Sequence, residues 1–238
     1  MSVTLDALHG QGRAALLQGA EVRDVPPTAG SRRWGVSVLV RPQPGLAARL
    51  DEVTAELLVL AGPDQWATGF AATSHLTLFS LEAHRPDVSL ADPACGHYAD
   101  AMHRAADTAG PATFGVTGLA LTPGGVVAAC ETLDDGARAL RPALTAALGG
   151  DVFEAGYRGD QWWLSLLHLA APVRAPAELV DHVEDRRDHA LGQLTARALE
   201  LVRYEYCADQ DGARMVPVTL SSAPLTGVPE GASGGAHA

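Results

Sequence analysis

Lysine is absent from this chain: all 17 basic residues among its 238 are arginine, set against 28 acidic ones. That removes Schiff-base lysine chemistry from the functions open to it. The formal net charge is −11 and the pI ≈ 5.1, so the chain lacks the broad basic field that captures long nucleic acids by their phosphates. A small basic pocket for a single phosphate is still compatible with that balance. Cysteine is scarce too. Cys95, Cys130 and Cys207 are odd in number, far apart and without a CxxC pair, which reads as reduced thiols in a cytoplasmic protein. No apolar run reaches the roughly 18 residues of a membrane span, and the opening MSVTLDALHGQG carries an acidic residue and no basic stretch, unlike a signal peptide. Walker A, GxGxxG, GxSxG and HExxH patterns are all missing, which leaves ATP, dinucleotide and serine-hydrolase readings without support. No cofactor is expected.

What is present is ordinary globular material, 47% hydrophobic and 19% charged. A compact chain of this size buries roughly 70% of the surface it exposes when unfolded, so it needs no metal or disulfide staple. Residues 1–30 are expected to be an N-terminal extension, with Leu5, Leu8, Ala15, Leu16 and Leu17 forming a short amphipathic helix that VPPTAGS breaks. Residues 31–222 contain no long linker and read as one domain. Residues 223–238, rich in Gly, Ala and Ser, are expected to be disordered.

Within the domain, strand and helix signals alternate. Trp34–Arg41 is a predicted strand from its alternating valines, stopped by Pro42 and Pro44. Leu46, Leu50, Val53, Leu57 and Leu60 make a helical stripe. Ser74–Leu81 is a short strand and Tyr98–Thr108 a helix. Phe114–Thr122 and Val126–Thr132 flank Pro-Gly-Gly, a hairpin signal. Asp134 or Asp135 caps a helix that Gly149-Gly150 closes. Trp162–Leu169 is a strand, Glu178–Ala190 a helix, and Leu194–Cys207 with Met215–Ser221 a final antiparallel pair. The order roughly repeats, which suggests two similar lobes with a ligand cleft between their sheets.

The chemistry centres on His75-Leu76-Thr77. On a strand, residues i and i+2 share a face, so an imidazole and a hydroxyl project together. That pair can hold a phosphate oxygen and move a proton. The corresponding strand of the second half reads Trp162-Trp163-Leu164-Ser165, which sets Trp163 opposite His75 and Ser165 opposite Thr77. Of the two tryptophans one should face the core and the other the cleft, where Trp163 could stack on a base. By strict alternation His168 faces away from Ser165 and would need a bulge to reach the cleft. Tyr157 is a candidate wall, Arg41 a candidate phosphate contact, and one set of Tyr204/Tyr206 against Arg203/Glu205 lines the cleft. His182, Asp185 and His189 have helical spacing for a metal, but VEDRRDH reads as a solvated charged face, and no metal site is expected.

These segments (SHLTLFSL, VTGLALTPGGVVAAC and WLSLLHL) resemble the 2H phosphoesterase superfamily of 2′-5′ RNA ligase-like proteins and cyclic phosphodiesterases. The resemblance spans about residues 34–221. It implies an α+β, bilobal fold: two antiparallel sheets with outer helices around a central cleft, each lobe giving one His-x-Thr/Ser motif. In the family one His acts as general base and the other as general acid, with the hydroxyls on phosphate oxygens. By that resemblance His75, Thr77 and Ser165 are the catalytic positions, and the second His is replaced by Trp163. Trp163, His168, Tyr157 and Arg41 remain as substrate-binding candidates. The expected partner is a small-molecule or nucleotide substrate, with a long nucleic acid disfavoured by charge.

Overall fold

The computed structural model describes residues 4–149, 161–209 and 212–227. Its elements in chain order are α1 (Leu5–Gln18), β1 (Ser37–Val40), α2 (Pro44–Ala61), β2 (Trp66–Ala67), β3 (Leu76–Ser80), α3 (Pro93–Thr108), β4 (Ala112–Thr122), β5 (Gly125–Thr132), α4 (Asp135–Leu148), β6 (Trp162–His168), α5 (Pro176–Glu184), β7 (Gly192–Ala196), β8 (Ala198–Asp209) and β9 (Gly212–Pro224). The α+β class read from the sequence holds. No helix among the described residues is long and apolar enough to cross a membrane.

The helices form where the pattern and caps require. Leu46, Leu50, Val53 and Leu57 of α2 are buried, the stripe expected of an amphipathic helix. Asp134 caps α4 by accepting the Ala137 N–H at 2.8 Å, and Gly149 closes it with a left-handed φ of 77°. Two helix ends differ most from the sequence reading. Helix α3 starts at Pro93, with Asp92 as its cap, because proline at the first helical position costs no hydrogen bond. Helix α5 ends at Glu184, and a turn follows. The Arg186 carbonyl accepts the Leu119 N–H of β4 at 2.9 Å, so the chain peels off the helix to bond the sheet. His189 is therefore not on the helix that carries His182.

The strands form an antiparallel order β7-β4-β5-β6-β3-β1-β8-β9, with β2 added beside β6. The two expected antiparallel sheets correspond to the two halves of this order. They join through β6 and β3 at the pair Leu76–Leu164, so the sheet curls on without a break. The lobes are not the two halves of the sequence. Hairpin β4–β5 lies beside β6 of the second lobe, and hairpin β8–β9 lies beside β1 of the first. The single strand expected from Leu194 is divided at Arg197: β7 pairs with β4, and β8 crosses to β1.

Helix α1 is present as expected in residues 1–30, but it is not an appendage. Leu8, Gly12 and Leu16 are buried, and a Cβ on Gly12 would come within 2.7 Å of the Thr122 backbone. The helix thus lies directly on β4. At the other end, Leu225 is 5% exposed and packs with the core; the rest of the expected tail, 228–238, lies outside the described residues.

Candidate active site

Two irregular steps build the site. Between β1 and β3 the register passes from Val38–Phe79 to Leu39–Thr77, leaving Leu78 as an extra residue. Between β5 and β6 it passes from Val126–Leu167 to Val127–Ser165, leaving Leu166 extra. A bulge of this kind rotates the residues beyond it onto the opposite face. Leu78 and Leu166 are both buried in the core, and Leu166 stands to Leu78 as Trp163 stands to His75. The consequence is that Thr77 and Ser80 face one cleft together, and so do Ser165 and His168. The bulge that the sequence reading required for His168 is therefore present. The Leu166 carbonyl it turns outward is satisfied by the N–H groups of Thr68 and Gly69, each at 3.0 Å.

The cleft holds about 300 Å³. His75, Thr77, Trp163, Ser165 and His168 all line it, so five of the sequence candidates come together. Trp162 also borders the cleft, but it is buried, and its ring meets Phe114 edge-on at 5.5 Å and the Arg141 guanidinium at 4.2 Å. Of the tryptophan pair, Trp162 packs with the core and both residues border the cleft. Arg41 is not a cleft residue. Its guanidinium is committed to Glu200 at 3.3 Å and to the carbonyls of Ala72 and Pro217. Tyr157 lies outside the described residues.

His75, just before β3, is 8% exposed. Burial pushes its pKa down to about 4, with the Arg41 and His168 charges adding to the shift and the Thr73 carbonyl opposing it. The ring is therefore neutral near pH 7. Its Nδ1–H must donate to the Thr73 carbonyl, 2.7 Å away, since a carbonyl only accepts. That leaves Nε2 with a lone pair, which accepts the Tyr204 hydroxyl at 2.9 Å. The tautomer is fixed, and the basic nitrogen is the one in the cleft.

A row of rings closes the back of the cleft. His75 and Tyr204 have centroids 5.5 Å apart, Tyr204 and Trp34 5.3 Å, and Trp34 and His168 4.9 Å. Trp34 has a φ of 65°, a left-handed backbone that costs a bulky residue of order 1–3 kcal/mol. Gly35 follows it, and a Cβ there would sit 1.7 Å from the Glu82 carbonyl oxygen. The strained turn swings the indole between the two lobes. Trp34 and Arg33 escaped the sequence reading because their position depends on this backbone reversal and not on strand alternation. Tyr204 carried a usable signal, as one of two alternating tyrosines on a strand; Tyr206 instead meets the Trp66 ring at 5.3 Å.

His168 is 7% exposed, and burial lowers its pKa. Arg33 also lowers it, and Asp24 opposes both. Asp24 Oδ2 lies 3.1 Å from Nδ1, and the Arg33 guanidinium lies 3.0 Å from the same nitrogen. Asp24 and Arg33 are themselves ion-paired.

The bulge gives a stability prediction. Gly125 pairs with His168, and a Cβ on it would sit 2.0 Å from the Leu167 carbonyl oxygen. Gly125→Ala must push β6 away at the point that aims His168. We expect a loss of at least about 1–3 kcal/mol in denaturant unfolding, where an unchanged midpoint would contradict the close approach.

No family model and no curated protein matches the chain. Among solved structures it is similar to a phosphoesterase, with a TM-score of 0.51 at 13% identity over 81% of this chain and 98% of that one. It is similar to Escherichia coli LigT complexed with 3′-AMP, with a TM-score of 0.51 at 12% identity over 81% and 98%. The curled antiparallel sheet flanked by helices gives this chain the fold of these two structures.

Proposed function

We propose that the protein is a 2H phosphoesterase-like hydrolase of a small nucleotide, acting on a 2′,3′-cyclic phosphate or a 2′-5′ linkage with His75 as its single motif histidine. The observation that carries this reading is the neutral His75, whose Nδ1–H is locked on Thr73 and whose Nε2 lone pair meets the Tyr204 hydroxyl, in a cleft that Thr77 and Ser165 also line. Thr77 and Ser165 hold nonbridging phosphate oxygens through their hydroxyls. Substrate displaces the Tyr204 hydroxyl from Nε2. His75 then takes a proton from water as the water oxygen bonds to phosphorus and the bond to the ribose oxygen breaks. Trp163 stacks on the base, where the family's second histidine would stand; an indole N–H cannot relay a proton. A nucleotide ligand is consistent with the 3′-AMP held by LigT and with a cleft of about 300 Å³.

A second reading has its own support. Tyr204 occupies the basic nitrogen and Trp163 the second motif position, which also suits a protein that binds a nucleotide without cleaving it, or an enzyme of other chemistry using the same cleft. Incubation with the four nucleoside 2′,3′-cyclic phosphates and a 2′-5′ dinucleotide, followed by chromatography, separates the two. Turnover that falls in Ser165→Ala supports the hydrolase. Quenching of tryptophan emission by nucleotides with no product formed by the wild type rejects it in favour of binding.

A further inference from the structure

Among the buried polar atoms that lack partners in the described residues are two on neighbouring side chains, Asp24 Oδ2 and His168 Nε2. Each such atom costs about 1–3 kcal/mol if left unsatisfied. They belong to one arrangement. The segment before β1 runs along the end of β6, where the Asp24 N–H donates to the Leu169 carbonyl at 2.6 Å and the Val22 N–H to Pro123 at 2.8 Å. This brings the Asp24–Arg33 pair up behind His168, so that Nδ1 faces a carboxylate oxygen and a guanidinium N–H at nearly equal distances, 3.1 and 3.0 Å.

The two faces suit two protonation states. A guanidinium only donates, so with the ring neutral Arg33 bonds the Nδ1 lone pair, the ring proton sits on Nε2, and Asp24 Oδ2 is left without a hydrogen. With the ring protonated, Nδ1–H turns to Asp24 Oδ2 and satisfies it. Nε2–H then still lacks an acceptor, on a residue that borders the cleft. Both orphaned atoms are satisfied at once when an anion fills the cleft and His168 carries a second proton. The other titratable side chains lining the cleft, besides the Arg33 already named, are His75 and Tyr204; these two bond each other, and His75 is satisfied at both nitrogens.

We propose that His168, Asp24 and Arg33 form a proton-linked anion contact: an oxyanion entering the cleft binds Nε2–H and draws a proton onto Nδ1 toward Asp24. Where the hydrolytic reading holds, on which this part rests, His168 also gives its Nε2 proton to the departing ribose oxygen and returns to the neutral form. The proton that His75 takes from water is later released to solvent, so the step balances. Asp24 is the positioning residue, acting through His168.

Sulfate tests the contact without turnover, since it is tetrahedral and does not itself titrate near neutrality. Calorimetric titration at about pH 6.5, the ordinary imidazole value, in two buffers of different ionisation enthalpy reads proton uptake directly. We expect net uptake, at most one proton per sulfate, that persists in His75→Gln and disappears in both His168→Gln and the near-isosteric Asp24→Asn. A carboxylate that merely stood nearby would repel the anion, so its removal would tighten binding and leave the uptake unchanged. That result overturns the proposal, as does sulfate binding without uptake in the wild type or no sulfate binding at all. Uptake with sulfate but no cleavage of any phosphodiester by the wild type would reject the hydrolase reading and leave the anion contact standing. Cleavage that continues at the wild-type rate in His168→Gln would remove the donor role.

Discussion

Replacing His75 with alanine is expected to slow hydrolysis of a nucleoside 2′,3′-cyclic phosphate by about 10²–10⁴-fold, the usual worth of one positioned acid or base. The effect should fall on kcat more than on KM. Thr77, Ser165 and the Trp163 ring remain to bind the nucleotide, whereas nothing else among the cleft residues presents a fixed lone pair. His75→Gln should be as slow as the alanine variant, because an amide keeps the hydrogen bonds but cannot accept the proton. The acid limb of the wild-type profile gives a second readout. With the pKa of His75 down to about 4, kcat/KM should show no loss from this group between about pH 6.5 and 5, where an ordinary histidine base would titrate. Steady-state kinetics on the wild type and both variants decide the matter. Equal rates in the three would exclude His75 from the chemistry.

The same burial makes the fold acid-sensitive, and the sign follows from where the protons go. The unfolded chain binds a proton at His75 near the ordinary value of 6.5, while the native state resists until about pH 4. Between these values the unfolded state holds more protons, so stability falls as pH falls. His75 alone accounts for about 3 kcal/mol across that window. His168, also buried with its pKa lowered, pulls the same way, as do His9 and His182, since burial lowers them too. Urea unfolding at about pH 7 and about pH 4.5 should show the wild type losing about 2–3 kcal/mol more than His75→Gln. Parallel losses would mean that the His75 ring takes up its proton in the native state without penalty.

Much of this site was legible in the chain. Period-two alternation placed His75 with Thr77 and Trp163 with Ser165, because side chains on a strand alternate whatever the strand pairs with. The helix stripes and caps were legible for the same local reason. SHLTLFSL and WLSLLHL were read as strands and form β3 and β6, and the similar solved structures carry the same fold at 12–13% identity. Arg41 was misplaced in the cleft because proximity along the chain to a motif strand does not say which partner claims the guanidinium; Glu200, far along the sequence, does.

Local pattern by itself determined most of the elements, the acidic lysine-free composition and the pairing of an imidazole with a hydroxyl on one strand. Tertiary structure alone decided three things. The extra residues Leu78 and Leu166 exist only as a mismatch between two paired strands, and through Leu166 His168 reaches the cleft. Strand β8 leaves β7 at Arg197 to cross lobes, which brings the Tyr204 hydroxyl to His75 from 129 residues away. The segment before β1 docks along β6 and sets Asp24 and Arg33 against His168. Each is a long-range pairing whose energy comes from burying surface and satisfying backbone groups against a distant strand, and no window of neighbouring residues contains that information.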